Sequence, residues 1–284
     1  MLKKIGYLAY ILGGLLAING LCFGEGSLTE PEFKGISDNI KDQVNKKNAA
    51  SLFNKAEKDG LRNAALKSLT KAKEKAITPL LKSIASDKAE GLKFRIAALN
   101  SLLEMEKEGS DAILEIGKES FKASISPVNT EIKNSWQKFD EKEKPFLVEL
   151  IDVLGKTKRA EIMEIFEVPM NVKEARPLCA AAMGDVGRPA IPYILTLLGN
   201  KDVKVRKGAC IGLGKTKEKL VVPALLEILK EEKNIGVKSE AIKSLVLLGD
   251  KRALPILEEV KKGAQFKEEK EEYEKAIAAI KAAK

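Results

Sequence analysis

"VRKGACIGLGKTKEKLVVPALLEILK", residues 205–230, shows helical apolar spacing on both sides of a break that contains Gly214 and Pro223. A proline inside one continuous helix removes a hydrogen bond and clashes with the preceding turn, at a cost of about 3 kcal/mol. In the first turn of a new helix the same ring is well placed, because no N–H is needed there. The stretch therefore reads as helix, turn and second helix. A single hairpin of this kind cannot bury its own apolar stripe, so it implies neighbours built in the same way.

Setting Val205 as position 1 places Arg206, Ala209, Leu213, Gly214 and Pro223 at positions 2, 5, 9, 10 and 19. From Val237 the frame gives Lys238, Ala241, Leu245 and Pro255, and from Leu61 it gives Arg62, Ala65, Leu69 and Pro79. From Ala175 it gives Arg176, Cys179, Met183 and Gly184, with Pro192 one residue early. From Phe94 it gives Arg95, Ala98 and Leu102 without a proline; from Phe146 it gives Leu150, Leu154 and Gly155, with Leu147 in place of the arginine. The starts lie 33, 52, 29, 30 and 32 residues apart. The irregular gap, about 121–144, holds Pro127, the sole Trp136 and a charge run, and reads as an insertion or a decayed repeat. A polar helix from about Glu269 fits the frame as a cap over the last interface.

Apolar residues at positions 5 and 9 give the first helix one buried stripe, and small residues at position 5 allow close helix approach. Asp59 and Asp202 stand where N-caps are expected, each worth about 1 kcal/mol. The fold class expected is all-α: a right-handed α-solenoid of stacked antiparallel helix pairs over 61–284, about six repeats plus the cap. Residues 25–60 read as an N-terminal helical segment.

Composition narrows the function. The 284 residues contain no histidine, 5% aromatics and 32% charged residues. Without histidine the usual general base and metal ligand are missing, so no catalytic or metal residue is assigned and no cofactor is expected. The net charge of +9 is spread through interleaved Lys and Glu, the pattern of a solvated helical surface rather than of a nucleic-acid stripe.

Residues 1–24 place Lys3 and Lys4 before an apolar run from Ile5 to Phe23. This is the layout of a secretory signal peptide. The rivals are an uncleaved membrane anchor, since the run is just long enough to span a bilayer, and a lipid-modified Cys22. Export to the periplasm or another extracytoplasmic space is the localisation expected. Cys179 and Cys210 then remain, at positions 5 and 6 of consecutive repeats. Helices packed about 8–10 Å apart hold such positions too far apart for a bridge that needs Cα atoms within about 7 Å, and two buried free thiols are expected.

The segments "VRKGACIGLGKTKEKLVVPAL", "VKSEAIKSLVLLGDKRALPIL" and "ARPLCAAAMGDVGRPAIPYIL" resemble HEAT repeats, in particular the short variety of phycobilisome-lyase-type proteins. The resemblance implies a scaffold that binds other proteins along an extended surface. It also implies that position 2, occupied by Arg62, Arg95, Arg176, Arg206 and Lys238, is a ladder pairing with acidic caps or carbonyls of adjoining repeats, with Asp59, Glu174 and Asp202 as nearby acids. The "GLGK" of residues 212–215 has the wrong spacing for a phosphate loop.

Position 22, in the first turn of the second helix, reads Lys82, Glu115, Glu167, Leu195, Leu226 and Glu258. Charge there implies a water-facing position, so Leu195 and Leu226 are the partner-binding candidates, on a face that in HEAT-like arrays is usually concave. The alternative is that each leucine packs against the neighbouring second helix. The function expected is an exported, non-enzymatic, monomeric scaffold for a protein partner, binding no nucleic acid and touching a membrane only through an uncleaved N-terminal segment. The alternatives are an enzyme on the same repeats, bilin lyase-like or DNA glycosylase-like, and a membrane-anchored spacer. Mass measurement of the native protein checks the processing: loss of about residues 1–24 is expected, and a chain that still begins at Met1 contradicts it.

Overall fold

The computed structural model describes residues 28–124, 140–264 and 266–283, and these are helical, with no strand among them. Residues 1–24 and, within the expected insertion, Pro127 and Trp136 lie outside the described residues. Two helices, α1 (Glu30–Asn39) and α2 (Gln43–Phe53), precede the repeats. The six hairpins follow as α3 (Asp59–Ala72) with α4 (Thr78–Ser86), α5 (Leu92–Leu103) with α6 (Glu106–Ser124), and α7 (Lys144–Lys156) with α8 (Ile162–Phe166). Then come α9 (Arg176–Met183) with α10 (Ile191–Leu197), α11 (Val203–Lys215) with α12 (Val222–Glu231), and α13 (Ile235–Leu248) with α14 (Leu254–Gly263). A last helix, α15 (Lys267–Ala282), ends the described array.

Position 5 is buried in every repeat, at Ala65, Ala98, Leu150, Cys179, Ala209 and Ala241, and so is position 9, from Leu69 to Leu245. Pro79, Pro192, Pro223 and Pro255 each stand at the second residue of a second helix, after a single 3-10 turn. The register is also written in the backbone. Position 13 takes a left-handed conformation in all six repeats, at Lys73, Glu106, Lys158, Gly187, Lys217 and Gly249. That residue reverses the chain between the two helices, and in the second repeat it does so without a proline.

Two expectations are corrected. Asp59 is the first residue of α3, not its cap; Lys58 takes the cap position without a side-chain bond, whereas Asp202 does accept from the Lys204 N–H. The irregular segment is narrower than 121–144, because α6 continues to Ser124 with Phe121 buried, and α7 starts at Lys144.

The array is closed by half-pairs. At its start α2 takes the place of a second helix: its Leu52 carbonyl accepts from Arg62 Nε, as the Ala85 carbonyl of α4 accepts from Arg95 Nε. Helix α1 crosses onto α4, where the Leu28 N–H donates to Ser83 Oγ, and Phe33 stacks on Phe53 with ring centroids 4.2 Å apart. At the far end α15 takes the place of a first helix and buries Tyr273, Ala276, Ile277 and Ile280, leaving its charged side in water.

From α7 to α13 the first helices meet backbone to backbone. A Cβ added at Gly208 would collide with the carbonyl oxygen of Pro177, and one at Gly212 with that of Ala180. The Ser244 hydroxyl donates 2.8 Å to the Cys210 carbonyl across the next interface. Second helices α10, α12 and α14 touch one another sparsely. The tight row is thus the first-helix row here.

Gly208→Ala is expected to destabilise by about 1–3 kcal/mol, through overpacking against α9. Lys217→Gly is expected to stabilise by up to about 1 kcal/mol, because a left-handed residue gains by losing its Cβ. Thermal denaturation of the two variants checks the register, and equal midpoints contradict it.

Candidate functional site

Two rows of side chains compete for attention, the cations at position 2 and the position-22 residues of the second helices. The arginines of the first row are consumed by the fold. Arg62, 5% exposed, donates from Nη1 and Nη2 to Glu90 at 2.9 and 2.6 Å, and from Nε to the Leu52 carbonyl. Its guanidinium lies 4.3 Å from the ring centroid of Phe94, the first residue of the next repeat. Arg95 repeats this with Glu143, the Ala85 carbonyl and Phe146, whose ring centroid is 4.1 Å away. Arg206 forks onto Glu232 at 2.6 and 3.0 Å and donates to the Asn200 carbonyl. Arg176 donates to the Met170 carbonyl. Asp59 and Asp202, named from sequence proximity, are not the fork partners of Arg62 and Arg206, which are the glutamates just ahead of the next repeat, and Glu174, named beside Arg176, pairs with Lys144.

Arg62, Arg95 and Arg206 each therefore join three successive units: a carbonyl from the helix or loop before, their own helix, and a glutamate just ahead of the helix after. Planar, bidentate geometry and stacking make arginine hard to replace by lysine at such a point. The fork with Arg206 holds the Glu232 carboxyl below the usual carboxylate range. An anion from outside would have to displace these carboxylates, so the row is structural.

The thiols of Cys179 and Cys210 are buried and unbridged. Burial pushes the Cys179 thiol well up and that of Cys210 up to about 12. Neither is a thiolate at neutral pH. Gly212 and Gly214 of the "GLGK" stretch lie within α11, against α9 and α13, so this segment is a helix interface and holds no phosphate loop. Among the described residues no group of three histidine, cysteine or acidic side chains is placed to hold a metal ion, and no helix is long and apolar enough to cross a membrane.

On the second-helix row, position 22 of adjacent repeats is in contact: Lys82 Nζ of α4 lies 2.6 Å from Glu115 Oε2 of α6. Charge here serves a rung between neighbours as well as solvation. Leu195 is 37% exposed on α10, and Tyr193, two residues earlier on the same helix, is 57% exposed. Leu226 is half-buried and packs against the core. The two candidate leucines therefore differ, and Tyr193 was not singled out from the sequence.

One concavity lies on the other face. Helices α3 and α5 stand apart and leave a cleft of about 430 Å³ with Leu66, Thr70, Ala97 and Ser101 below and Lys67, Lys71, Lys73 and Glu104 around it. Nothing in the repeat pattern announced it.

The family model for HEAT repeats matches residues 173–245 and again 191–278. These residues are HEAT repeats. The match spans the hairpins α9/α10, α11/α12 and α13/α14 and runs into α15, and the shared left-handed position 13 extends the same frame back to α3. A crystal structure of an engineered protein is similar over 85% of this chain and 98% of its own, at 13% identity and a TM-score of 0.30. No curated protein matches the chain.

Glu90→Gln is expected to destabilise by about 3 kcal/mol, since it leaves the buried Arg62 charge unpaired. Asp185→Asn, which breaks the more exposed pair with Lys215, should change stability by under about 1 kcal/mol. Glu232 adds a pH dependence. Its folded pKa is depressed, so its contribution is complete above the unfolded value of about 4.3 and is lost as pH falls through the folded one. Denaturation midpoints of Glu232→Gln and the parent should converge in acid, and a gap that is constant with pH contradicts the assignment.

Proposed function

We propose that this chain is an exported, non-enzymatic scaffold that holds a protein partner on the second-helix row of its HEAT array and works as a monomer. The coarse part of this is given by the repeats, since HEAT arrays commonly mediate contacts between proteins. Export rests on Lys3, Lys4 and the apolar run from Ile5 to Phe23.

The observation that carries the reading is the exposed Leu195 at position 22 of α10. Position 22 carries charge in four of the six repeats and forms the Lys82–Glu115 rung where two such residues meet. In α10 that charge is replaced by a leucine with over a third of its surface in water, and the same helix exposes over half of Tyr193 two residues earlier. Apolar side chains exposed on a water-facing row favour docking, because they lose water at little cost in side-chain entropy. Leu226, at the same position one repeat on, is half-buried and packs against the core.

A photo-crosslinking residue placed at 195 in the native host is expected to yield a discrete protein adduct, and the same residue at 167, a charged position 22, none. Equal labelling at the two positions, or none at either, contradicts the proposal. Leu195→Glu should leave the thermal midpoint nearly unchanged, whereas Leu226→Glu should lower it, since it places a carboxylate against the core.

A further inference from the structure

The spacing of the first helices changes along the array, and the change has a visible cause. Between α9 and α11 glycines bring the backbones together, and at position 11 the charges close a rung, with Lys215 Nζ 2.7 Å from Asp185 Oδ2. Neither α3 nor α5 has a glycine along its interior; Thr70 and Leu103 stand at position 10, where α9 and α11 have Gly184 and Gly214. The helices are held apart there, and position 11 is an open rung: Lys71 and Glu104 border the cleft without forming an ion pair. Lys67 and Lys73 are likewise exposed and engaged in no ion pair among the described residues.

The floor has a different character. The Thr70 hydroxyl donates 2.8 Å to the Leu66 carbonyl, the Ser101 hydroxyl donates 2.9 Å to the Ala97 carbonyl, and the two hydroxyls are 2.9 Å apart. Their bonding is complete within the protein, so the floor asks for no polar ligand and presents the partly exposed Ala97, with Leu66 almost wholly buried, to whatever enters. Three ammonium groups against one carboxylate surround an apolar bottom.

We infer that the α3–α5 cleft binds an acidic peptide segment of a protein partner, with an apolar side chain seated over Ala97 and carboxylates on Lys67, Lys71 and Lys73. This rests on the scaffold reading but uses a different face of the array from Leu195. Charge complementarity favours carboxylates on a chain that also carries leucine. A nucleic-acid backbone fits poorly, because Glu104 would repel it and the floor offers it nothing.

The test is fluorescence anisotropy with the full chain and a labelled peptide of alternating acidic and leucine residues. Comparison probes are an all-glutamate peptide and a single-stranded oligonucleotide of equal charge. The acidic leucine peptide is expected to bind at least tenfold more tightly than either comparison probe, and to weaken as salt rises through screening. Lys67→Glu with Lys71→Glu should abolish binding without moving the thermal midpoint, since both side chains are exposed. Lys118→Glu with Lys122→Glu on α6 changes the net charge equally and should leave binding intact. Ala97→Leu, which fills the floor, should weaken the leucine-bearing peptide at least tenfold. No binding of that peptide overturns the inference, and so does equal loss in the two double variants or equal binding of the oligonucleotide. A crosslink at position 195 would still stand in any of those cases, so the two readings fail separately.

Discussion

A solenoid has no central core to hold its ends, so everything depends on how each helix pair is tied to the next. In this protein the tie is a buried arginine. Arg62 and Arg95 each hold a carbonyl of the unit before, a glutamate of the loop after and the aromatic ring that opens the next repeat. A buried guanidinium is tolerable only if its donors are met and its charge is paired, and here both conditions are fulfilled by residues from neighbouring repeats. The same requirement that makes the arginine costly in isolation makes it an alignment device in the stack.

With alignment fixed at one end of the arginine-bearing first helices, the spacing of the rest is set by side-chain size. Where glycine and alanine line the seam, as in α9, α11 and α13, the row closes, and Lys215 of α11 pairs with Asp185 just past α9. Where α3 and α5 carry larger residues, the joint opens and its charges stay in water. Function in such an array is a matter of which joints are closed and which outward positions break the charged pattern, as Leu195 does.

Much of this was legible in the residues, because a repeat states its own register several times. Prolines at position 19 marked the second helices, and the small residues at position 5 marked the buried stripe. The arginine row was readable as structural, but its partners were not. Proximity in sequence pointed to Asp59 and Asp202, whereas a side chain as long as arginine reaches over its own helix to the next loop, where Glu90, Glu143 and Glu232 recur three to five residues ahead of the following repeat. Position 13 escaped notice because four of its six residues are lysine or glutamate, held left-handed by the packing around them and not by glycine. The α3–α5 cleft was hidden for a related reason: it comes from side chains that prevent an approach, and an absent contact leaves no motif.

The claim that arginine couples three successive units is tested most directly by hydrogen exchange, followed peptide by peptide, in Arg95→Lys. Lysine keeps the charge but has neither the fork nor the planar face. Loss of protection is expected to spread from α5 into α4 and α7, the units that supply Ala85, Glu143 and Phe146, while α11 and α13 stay protected. Loss confined to α5, or spread evenly over the whole array, would contradict the account.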